Sequence, residues 1–367
     1  MKTYDNLWNK IIDKHNILIA HYNAKKDKSH YQEVKMVESN LDFFINEIHE
    51  MLKNKTYKIE EIDYSTQVIN DSWKERELRK LNYYPHRIIQ WSIMLQLEPI
   101  FMEVLCNHVC ASLKNRWIHH AFNLTQKYLQ DEWHTKYCLK IDVRKFYPSI
   151  DHKILKELLR RKIRDKDTIE ILDMIIDSYP WEKWVPIWSY LSQYLANFYL
   201  AYFDHRMKEE AKCRYVVRYM DDIIVLNESK ERLHDTLDKI RNELSNLKLE
   251  IKWNYQIFPV DKRWIDFVWY RFFRKFVLLR NWTKKKMKKR LKEIKDKKAD
   301  KKKLLNYNER CSINSYVWRI LSCNHYRLFQ KYISPLIPSL DRYYFFVLSN
   351  RNEKKLKKYH DKLLRKI

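Results

Sequence analysis

Short stretches of alternating apolar and polar residues recur along this chain, separated by longer stretches with an apolar residue at every third or fourth position. Alternation predicts β-strands, and the longer spacing predicts amphipathic helices. Alternation predicts a strand at 139–144, while runs rich in β-branched or aromatic residues predict strands at 214–219, 223–226 and within 255–279. The order of strand, helices, hairpin, helix and strand predicts an α+β fold, with an antiparallel sheet backed by helices.

Helical spacing accounts for most of the remaining chain. Residues 1–55 predict an N-terminal helical extension, and residues 56–72 predict extended structure. Asp151 and Ser229 each precede an apolar stripe, so each is predicted to cap the N-terminus of a helix. Three further helices are predicted, at 168–178, 191–212 and 283–303.

The charge balance narrows the class of partner. Lys and Arg number 73 against 47 Asp and Glu, which gives a formal net charge of +26. Such an excess favours a polyanionic partner, and an aromatic content of 15% supplies surfaces on which bases can stack. No run of eighteen apolar residues and no signal peptide is found, so we expect no membrane partner. Six scattered cysteines favour a reducing compartment, and we expect a cytoplasmic protein.

Paired carboxylates lie between two of the predicted strands. Asp221 and Asp222 follow Tyr219 and Met220 at the predicted hairpin turn, and Asp142 lies near the end of the 139–144 strand. If these strands pair, the three aspartates meet, and they repel one another unless cations lie between them. Such a cluster is the ligand set for two-metal phosphoryl transfer, and magnesium prefers oxygen ligands of this kind.

These segments resemble motifs of bacterial reverse transcriptases. Asp142 to Tyr147 is similar to the first palm motif of that family, and Tyr219 to Asp222 is similar to the third. The stretch Pro186 to Gln193 resembles the second motif in its diversity-generating retroelement form, in which an Ile-Gly…Ser-Gln pattern replaces Gln-Gly…Ser-Pro. The resemblance spans roughly residues 75–325.

The resemblance implies a right-hand polymerase with fingers, palm and thumb. The basic segment 283–303, with 13 Lys or Arg against three acids, would begin a thumb that follows a duplex backbone. The implied divisions are an N-terminal helical extension at 1–70, fingers at 71–135, a palm with inserted finger elements at 136–275, and a basic helical thumb at 276–367.

The resemblance also implies a catalytic centre. Asp142 and Asp221 would hold two Mg²⁺ ions, with Mn²⁺ as an alternative, while Asp222 supports the site. The backbone carbonyl of Val143 is implied as an additional metal ligand. The ring of Tyr147 would block a ribose 2′-hydroxyl, so that deoxynucleotides are selected.

Other residues are expected to contact nucleotides or primer. Arg116 precedes a predicted helix in the fingers, where its forked guanidinium suits the triphosphate of an incoming nucleotide. Ser192 and Gln193 are predicted in the first turn of the second-motif helix, facing the nascent base pair. Ile187 replaces the glutamine of accurate relatives, which implies weak discrimination at template adenines. The remaining implied contacts form a primer grip at Trp269 and Tyr270.

The implied function is RNA-directed DNA synthesis, error-prone at adenines, in a diversity-generating retroelement. Its partners would be an RNA template, a DNA or RNA primer, deoxynucleoside triphosphates, and a small basic accessory protein oligomer. Two alternatives stay open. One is another bacterial reverse transcriptase, in phage defence or an unknown role, and the other is a non-catalytic nucleic-acid-binding scaffold.

Glycine is absent from the sequence. At ordinary usage a chain of this length carries roughly 26 glycines. Six of the 13 tryptophans occupy positions where the family motifs carry glycine: 117, 184, 188, 264, 269 and 318. Decoding of UGA as tryptophan, in a lineage that reads it as glycine, would produce this exchange. The mass of the native protein tests the idea, because a mass matching the printed sequence rejects it.

Overall fold

The computed structural model describes residues 2–71, 74–179, 183, 189–299 and 305–339. The chain forms two compact units. The first comprises Met1–Leu124 and Trp133–Ile257, and the second comprises Thr125–Glu132 and Phe258–Ile367. Both contain helices and strands, and each unit is described by itself below.

The helices follow the predicted stripes. They are α1 (Trp8–Ile11), α2 (Lys14–Ala24), α3 (Gln32–Ser39), α4 (Leu41–Lys53), α5 (Ile88–Val104), α6 (Ile118–Leu129), α7 (Phe146–Ser149), α8 (His152–Arg160), α9 (Lys166–Asp177), α10 (Tyr190–Tyr199), α11 (Ala201–Glu209), α12 (Lys230–Asn246), α13 (Asn281–Ala299), α14 (Tyr307–Leu321) and α15 (Tyr326–Tyr332). Short 3₁₀ turns lie at Glu61–Asp63 and Ser334–Ser339, and a π-type turn at Tyr83–Arg87 precedes α5.

The strands are β1 (Tyr64–Asp71), β2 (Lys74–Leu81), β3 (Tyr137–Asp142), β4 (Tyr215–Tyr219), β5 (Asp222–Asn227), β6 (Gln256–Pro259), β7 (Ile265–Phe267), β8 (Tyr270–Phe272) and β9 (Val277–Leu279). β1 and β2 form an antiparallel ribbon with Tyr64 opposite Leu81. A second sheet has the order β4-β5-β3-β6, and a third has the order β7-β8-β9.

The β4-β5-β3-β6 sheet positions the aspartates. β5 pairs antiparallel with β3 on one side and with β4 on the other. Its four middle residues, Ile223 to Leu226, are all buried, as expected for a strand covered on both faces. α12 packs against β3 and β5 through apolar residues such as Leu237 and Ile240. The predicted α+β class, with an antiparallel sheet backed by helices, is confirmed.

Local sequence signals set several helix ends. The carboxylate of Asp151 accepts the backbone N–H of Ile154 at 3.1 Å, and the Ser229 hydroxyl accepts that of Arg232 at 3.2 Å. Both predicted caps are therefore confirmed. The single long helix predicted over 191–212 is wrong. It is divided at Leu200, whose ψ of 2° ends α10 before α11 begins, although the apolar spacing continues across the break.

The second unit is built around β7-β8-β9 and the helices α13 to α15. A two-residue loop, Val268-Trp269, joins β7 to β8, and both residues have positive φ, 40° and 78°. Tyr270, which follows, is fully buried, and its hydroxyl donates to the carbonyl of Arg319 at 3.2 Å. Across the described parts of both units, no helix has the length and apolar character to cross a bilayer.

Candidate active site

Strand register brings the three predicted aspartates together. Asp142, the last residue of β3, lies directly opposite Asp222, the first residue of β5. Tyr219 pairs with the same Asp222 from β4, so Met220 and Asp221 form the tight turn between the strands. The backbone N–H of Val143 donates to the carbonyl of Asp221 at 3.0 Å. The predicted meeting of these residues is thus confirmed at the level of the backbone.

Lysine side chains neutralise two of these carboxylates. The ammonium of Lys252 bonds to Asp142, and its backbone N–H donates to the Asp142 carbonyl at 2.9 Å. Lys140 Nζ lies 3.9 Å from Asp222 Oδ1. Within the described residues, no three His, Cys, Asp or Glu side chains gather closely enough to hold a metal ion.

The donor chemistry of the cluster nevertheless fits a divalent ion. Asp142, Asp221 and Asp222 offer only carboxylate oxygens, which are hard ligands of the kind that Mg²⁺ prefers. The bond from Lys252 places a cation against Asp142, so this carboxylate attracts positive charge. Asp142 is about one-third exposed, at 36%, and an ion could reach it from solvent.

Tyr147 lies beside the aspartate turn. It is in α7, five residues after Asp142, and its hydroxyl contacts the Met220 sulfur at 3.5 Å. Burial raises the pKa of the Tyr147 phenol well above its ordinary value, and the charge of Asp221 raises it further. The phenol therefore stays neutral and can act as a steric wall. Its selection against ribose remains a prediction.

Arg116 is already engaged within the fold. Its Nη1 donates to the carbonyls of Leu105 at 3.1 Å and Cys106 at 2.8 Å, which closes the end of α5. The segment before α6 is a turn closed by a bridge between Leu113 and Arg116. Contact of Arg116 with a triphosphate therefore stays a prediction.

A cavity in the first unit gathers other basic residues of the predicted fingers segment. Trp91 and Tyr190 stack in its wall with ring centroids 4.1 Å apart. Arg79 contributes its guanidinium, which lies 4.4 Å over the Tyr64 ring. The basic residues of the lining are Arg79, Lys80 and Arg87. This cavity borders Ser189, the residue that caps α10, so cations and stacked rings lie at the start of the second-motif helix.

Ser192 and Gln193 lie in the first turn of α10, as predicted. Ser192 is buried, its N–H donates to the Ser189 hydroxyl at 3.0 Å, and the two hydroxyl oxygens are 2.8 Å apart. Gln193 is half-buried, and its carbonyl accepts from Asn197 at 3.2 Å. Ile187 lies outside the described residues. Contacts of these three residues with a base pair stay predictions.

The two predicted primer-grip residues lie at the β7–β8 turn of the second unit. Trp269 is 39% exposed, and the guanidinium of Arg319 lies 4.3 Å over its ring. The Tyr270 ring is buried in the core of that unit. Trp269 is therefore exposed enough to contact a primer, whereas the buried ring of Tyr270 holds the turn in place. The primer-grip role itself stays a prediction.

Sequence reasoning did not predict the roles of Lys252, which contacts the aspartate cluster, and Arg218, which contacts the turn beside it. Lys252 lies 110 residues after the Asp142 that it contacts. Arg218 precedes Asp221 by three residues, is fully buried, and donates to the carbonyl of Met220 at 3.1 Å. An arginine within the apolar strand 215–219 was the available signal, because a buried charge requires a partner.

Comparison with known proteins agrees with this geometry. Residues 75–255 match the family model described as "Reverse transcriptase (RNA-dependent DNA polymerase)". This segment, just under half of the chain, is therefore similar to reverse transcriptases. A search of curated proteins gives no match.

Among solved structures, the chain is similar to apo telomerase from Candida tropicalis, with 13% sequence identity and a TM-score of 0.48. The match covers 77% of this chain and 59% of the telomerase chain, so this chain spans less than two thirds of the length of that relative.

Proposed function

We propose that this protein is an RNA-directed DNA polymerase that extends a primer on an RNA template by two-metal nucleotidyl transfer. The observation that carries the proposal is the register of β3 and β5, which sets Asp142 opposite Asp222 and beside Asp221. This cluster lies inside the segment that matches the reverse transcriptase model. The net charge of +26 suits a polymer of phosphates.

Each residue of the cluster has a proposed task. Asp142 and Asp221 would hold the divalent ions, with the Val143 carbonyl as a further ligand and Asp222 as support. When bound, such ions neutralise a triphosphate and lower the pKa of a primer 3′-hydroxyl. Tyr147, held against Met220, would exclude a ribose 2′-hydroxyl from the same place. Lys252 would supply the counter-charge of Asp142 when no ion is bound.

Primer extension on an RNA template with Mg²⁺ tests the proposal. The wild-type protein should extend the primer, and Asp221→Ala should lower the rate by about 10²–10³-fold or more, since it removes a group that stabilises transition-state charge. Asp235→Ala is the matched control, because this exposed aspartate lies on α12 away from the cluster. Extension that persists in Asp221→Ala would reject the proposed role of this aspartate, and a wild-type protein that does not extend the primer would favour the scaffold alternative.

A finer proposal is that the enzyme belongs to a diversity-generating retroelement and copies adenines inaccurately. It is supported by Ile187, because an aliphatic side chain cannot hydrogen-bond near the nascent pair. Ile187→Gln should lower the rate of misincorporation opposite template adenine and leave the rate opposite the other three template bases unchanged. Equal error rates in the two proteins would count against this type. A small basic accessory protein belongs to the same proposal, and co-purification from the native host tests it.

A further inference from the structure

A buried polar network lies behind the aspartate turn. Arg218, on β4, is 0% exposed, and Asp204, on α11, is 1% exposed. Arg218 Nε lies 2.8 Å from Asp204 Oδ1, and its Nη2 lies 2.5 Å from Oδ2, which makes a forked pair. His108 Nε2 is 3.4 Å from the same carboxylate. Burial by itself would raise the pKa of Asp204, but the charge of Arg218 and the contact with His108 hold it below the ordinary value.

The remaining donors of Arg218 reach two other elements. Nη1 contacts Asn197 Oδ1 at 3.2 Å, and Nη2 contacts the Asn197 carbonyl at 3.3 Å. Asn197 is itself buried on α10, four residues after Gln193, whose carbonyl accepts from its amide. Nη1 also donates to the carbonyl of Met220 at 3.1 Å. One guanidinium therefore joins the second-motif helix to the aspartate turn.

The bond to Met220 acts on the backbone of Asp221. The Met220 carbonyl belongs to the peptide group that ends in the Asp221 nitrogen, and the Asp221 carbonyl accepts from Val143 at 3.0 Å. The peptide groups on both sides of Asp221 are thus fixed, one by Arg218 and one by the residue after Asp142. Met220 has a φ of 54°, a left-handed conformation that is sparsely populated by residues other than glycine. External contacts must hold such a turn in place.

Stability alone does not account for this arrangement. A buried ion pair can often be replaced by apolar side chains without loss of stability, because desolvation offsets the attraction between the charges. The guanidinium of Arg218 forms a forked pair with Asp204 and also donates to the Met220 carbonyl in the turn. This arrangement indicates that Arg218 orients the turn. We propose that Arg218 is a positioning residue, which sets the direction of the Asp221 carboxylate by anchoring the Met220 carbonyl against Asp204 and Asn197. This inference rests on the polymerase function proposed above.

Two variants test the proposal. Arg218→Lys keeps the charge but cannot reach Asp204, Asn197 and Met220 together. The double variant Arg218→Gln with Asp204→Asn removes both charges at once, so it leaves no unpaired buried charge and should fold even where the lysine variant does not. Tyr199→Phe is the control: it removes a buried hydrogen bond to the Leu247 carbonyl, 2.7 Å long, without touching the turn.

Single-turnover primer extension, well below the melting temperature of each variant, separates binding from chemistry. The expected result is a fall in the maximal rate of roughly tenfold or more, since small displacements of a catalytic group are costly, with the Kd values for deoxynucleotide and template–primer unchanged. Tyr199→Phe should keep the wild-type maximal rate. A maximal rate near wild type in either folded Arg218 variant would overturn the proposal.

A merely structural role gives a different pattern. The loss of rate would then track the loss of melting temperature, and Tyr199→Phe would show it as well, which would also overturn the proposal. Failure of the proposed function itself is recognised separately, because the wild-type protein would then not extend the primer at all.

Discussion

Lys252 and Asp142 are joined twice, by an ion pair between their side chains and by a backbone hydrogen bond of 2.9 Å from the lysine N–H to the aspartate carbonyl. The backbone bond belongs to an antiparallel bridge that pairs Val143 with Ile251. The lysine is therefore held beside the carboxylate by the fold and not only by charge. The ammonium occupies one carboxylate oxygen of Asp142, Oδ1.

Removing this ammonium should strengthen metal binding. Lys252→Gln should bind Mn²⁺ about two- to fivefold more tightly, in line with the modest energy of a partly exposed ion pair. Titration of free Mn²⁺ by electron paramagnetic resonance measures this without any need for turnover.

Arg144→Gln is the matched control for that measurement. It removes the same charge from an exposed pair with Glu250, 3.2 Å long, without touching an aspartate of the cluster. Equal changes of Mn²⁺ affinity in the two variants would show that only the net charge of the protein affects binding.

Tyr147 should control the choice of sugar. Tyr147→Val should raise ribonucleotide incorporation, relative to deoxyribonucleotide, by roughly tenfold or more, because a cavity replaces the ring that excludes the 2′-hydroxyl. Tyr147→Phe keeps the ring and loses only the contact with the Met220 sulfur, so its selectivity should match the wild type. Paired incorporation assays with rNTP and dNTP decide the matter. Unchanged selectivity in the valine variant would assign Tyr147 to packing.

The Val268-Trp269 loop should be strained. A two-residue hairpin loop with positive φ at both positions strongly favours sequences such as Asn-Gly, and a left-handed conformation costs about 1–2 kcal/mol per residue of another type. Trp269→Gly should therefore raise the free energy of unfolding by roughly 1 kcal/mol, after allowing for the lost contact with Arg319. Chemical denaturation measures the change.

Trp282→Gly provides the control for this substitution. Trp282 has similar exposure, 44% against 39%, and a lysine over its ring, but it lies in α13. Glycine in a helix should lower stability, by about 0.5–1 kcal/mol. A fall in stability for both variants would mean that the turn at Trp269 carries no strain.

The second unit should lose stability in mild acid. The Nε2 atom of His325 accepts the backbone N–H of Leu279 at 3.0 Å. Burial lowers the pKa of His325, and the charge of Lys284 lowers it further. The unfolded chain then takes up a proton near pH 6.5, the ordinary value, while the folded chain does so only at lower pH. The free energy of unfolding should therefore fall as the pH drops below about 6.5.

Urea titrations at pH 8 and pH 5.5 check this dependence. His325→Gln retains an acceptor for the Leu279 N–H and does not titrate, so its stability should change less between the two pH values. His30→Gln, at an exposed position, should behave like the wild type. The expectation fails if all three proteins lose the same stability on acidification.

Local chemistry explains what the sequence predicted correctly. The strand that carries Asp142 alternates apolar and polar residues, and the strand that carries Asp222 continues as an unbroken apolar run from Ile223 to Leu226. The caps at Asp151 and Ser229 depend only on residues three positions away. The break at Leu200 was missed because the apolar spacing runs straight through it. The pairing of Lys252 with Asp142 depends on a bridge between segments far apart in the chain, which periodicity does not report.

The shared burial of Asp204 and Arg218 also constrains how this protein can diverge. Loss of either charge alone would leave the other buried and unpaired, which would strongly destabilise the fold. Substitutions at these two positions should therefore be tolerated only when both change together. Homologous proteins should accordingly have both the arginine and the aspartate or neither of them. A homologue with only one of the two should have lost the activity.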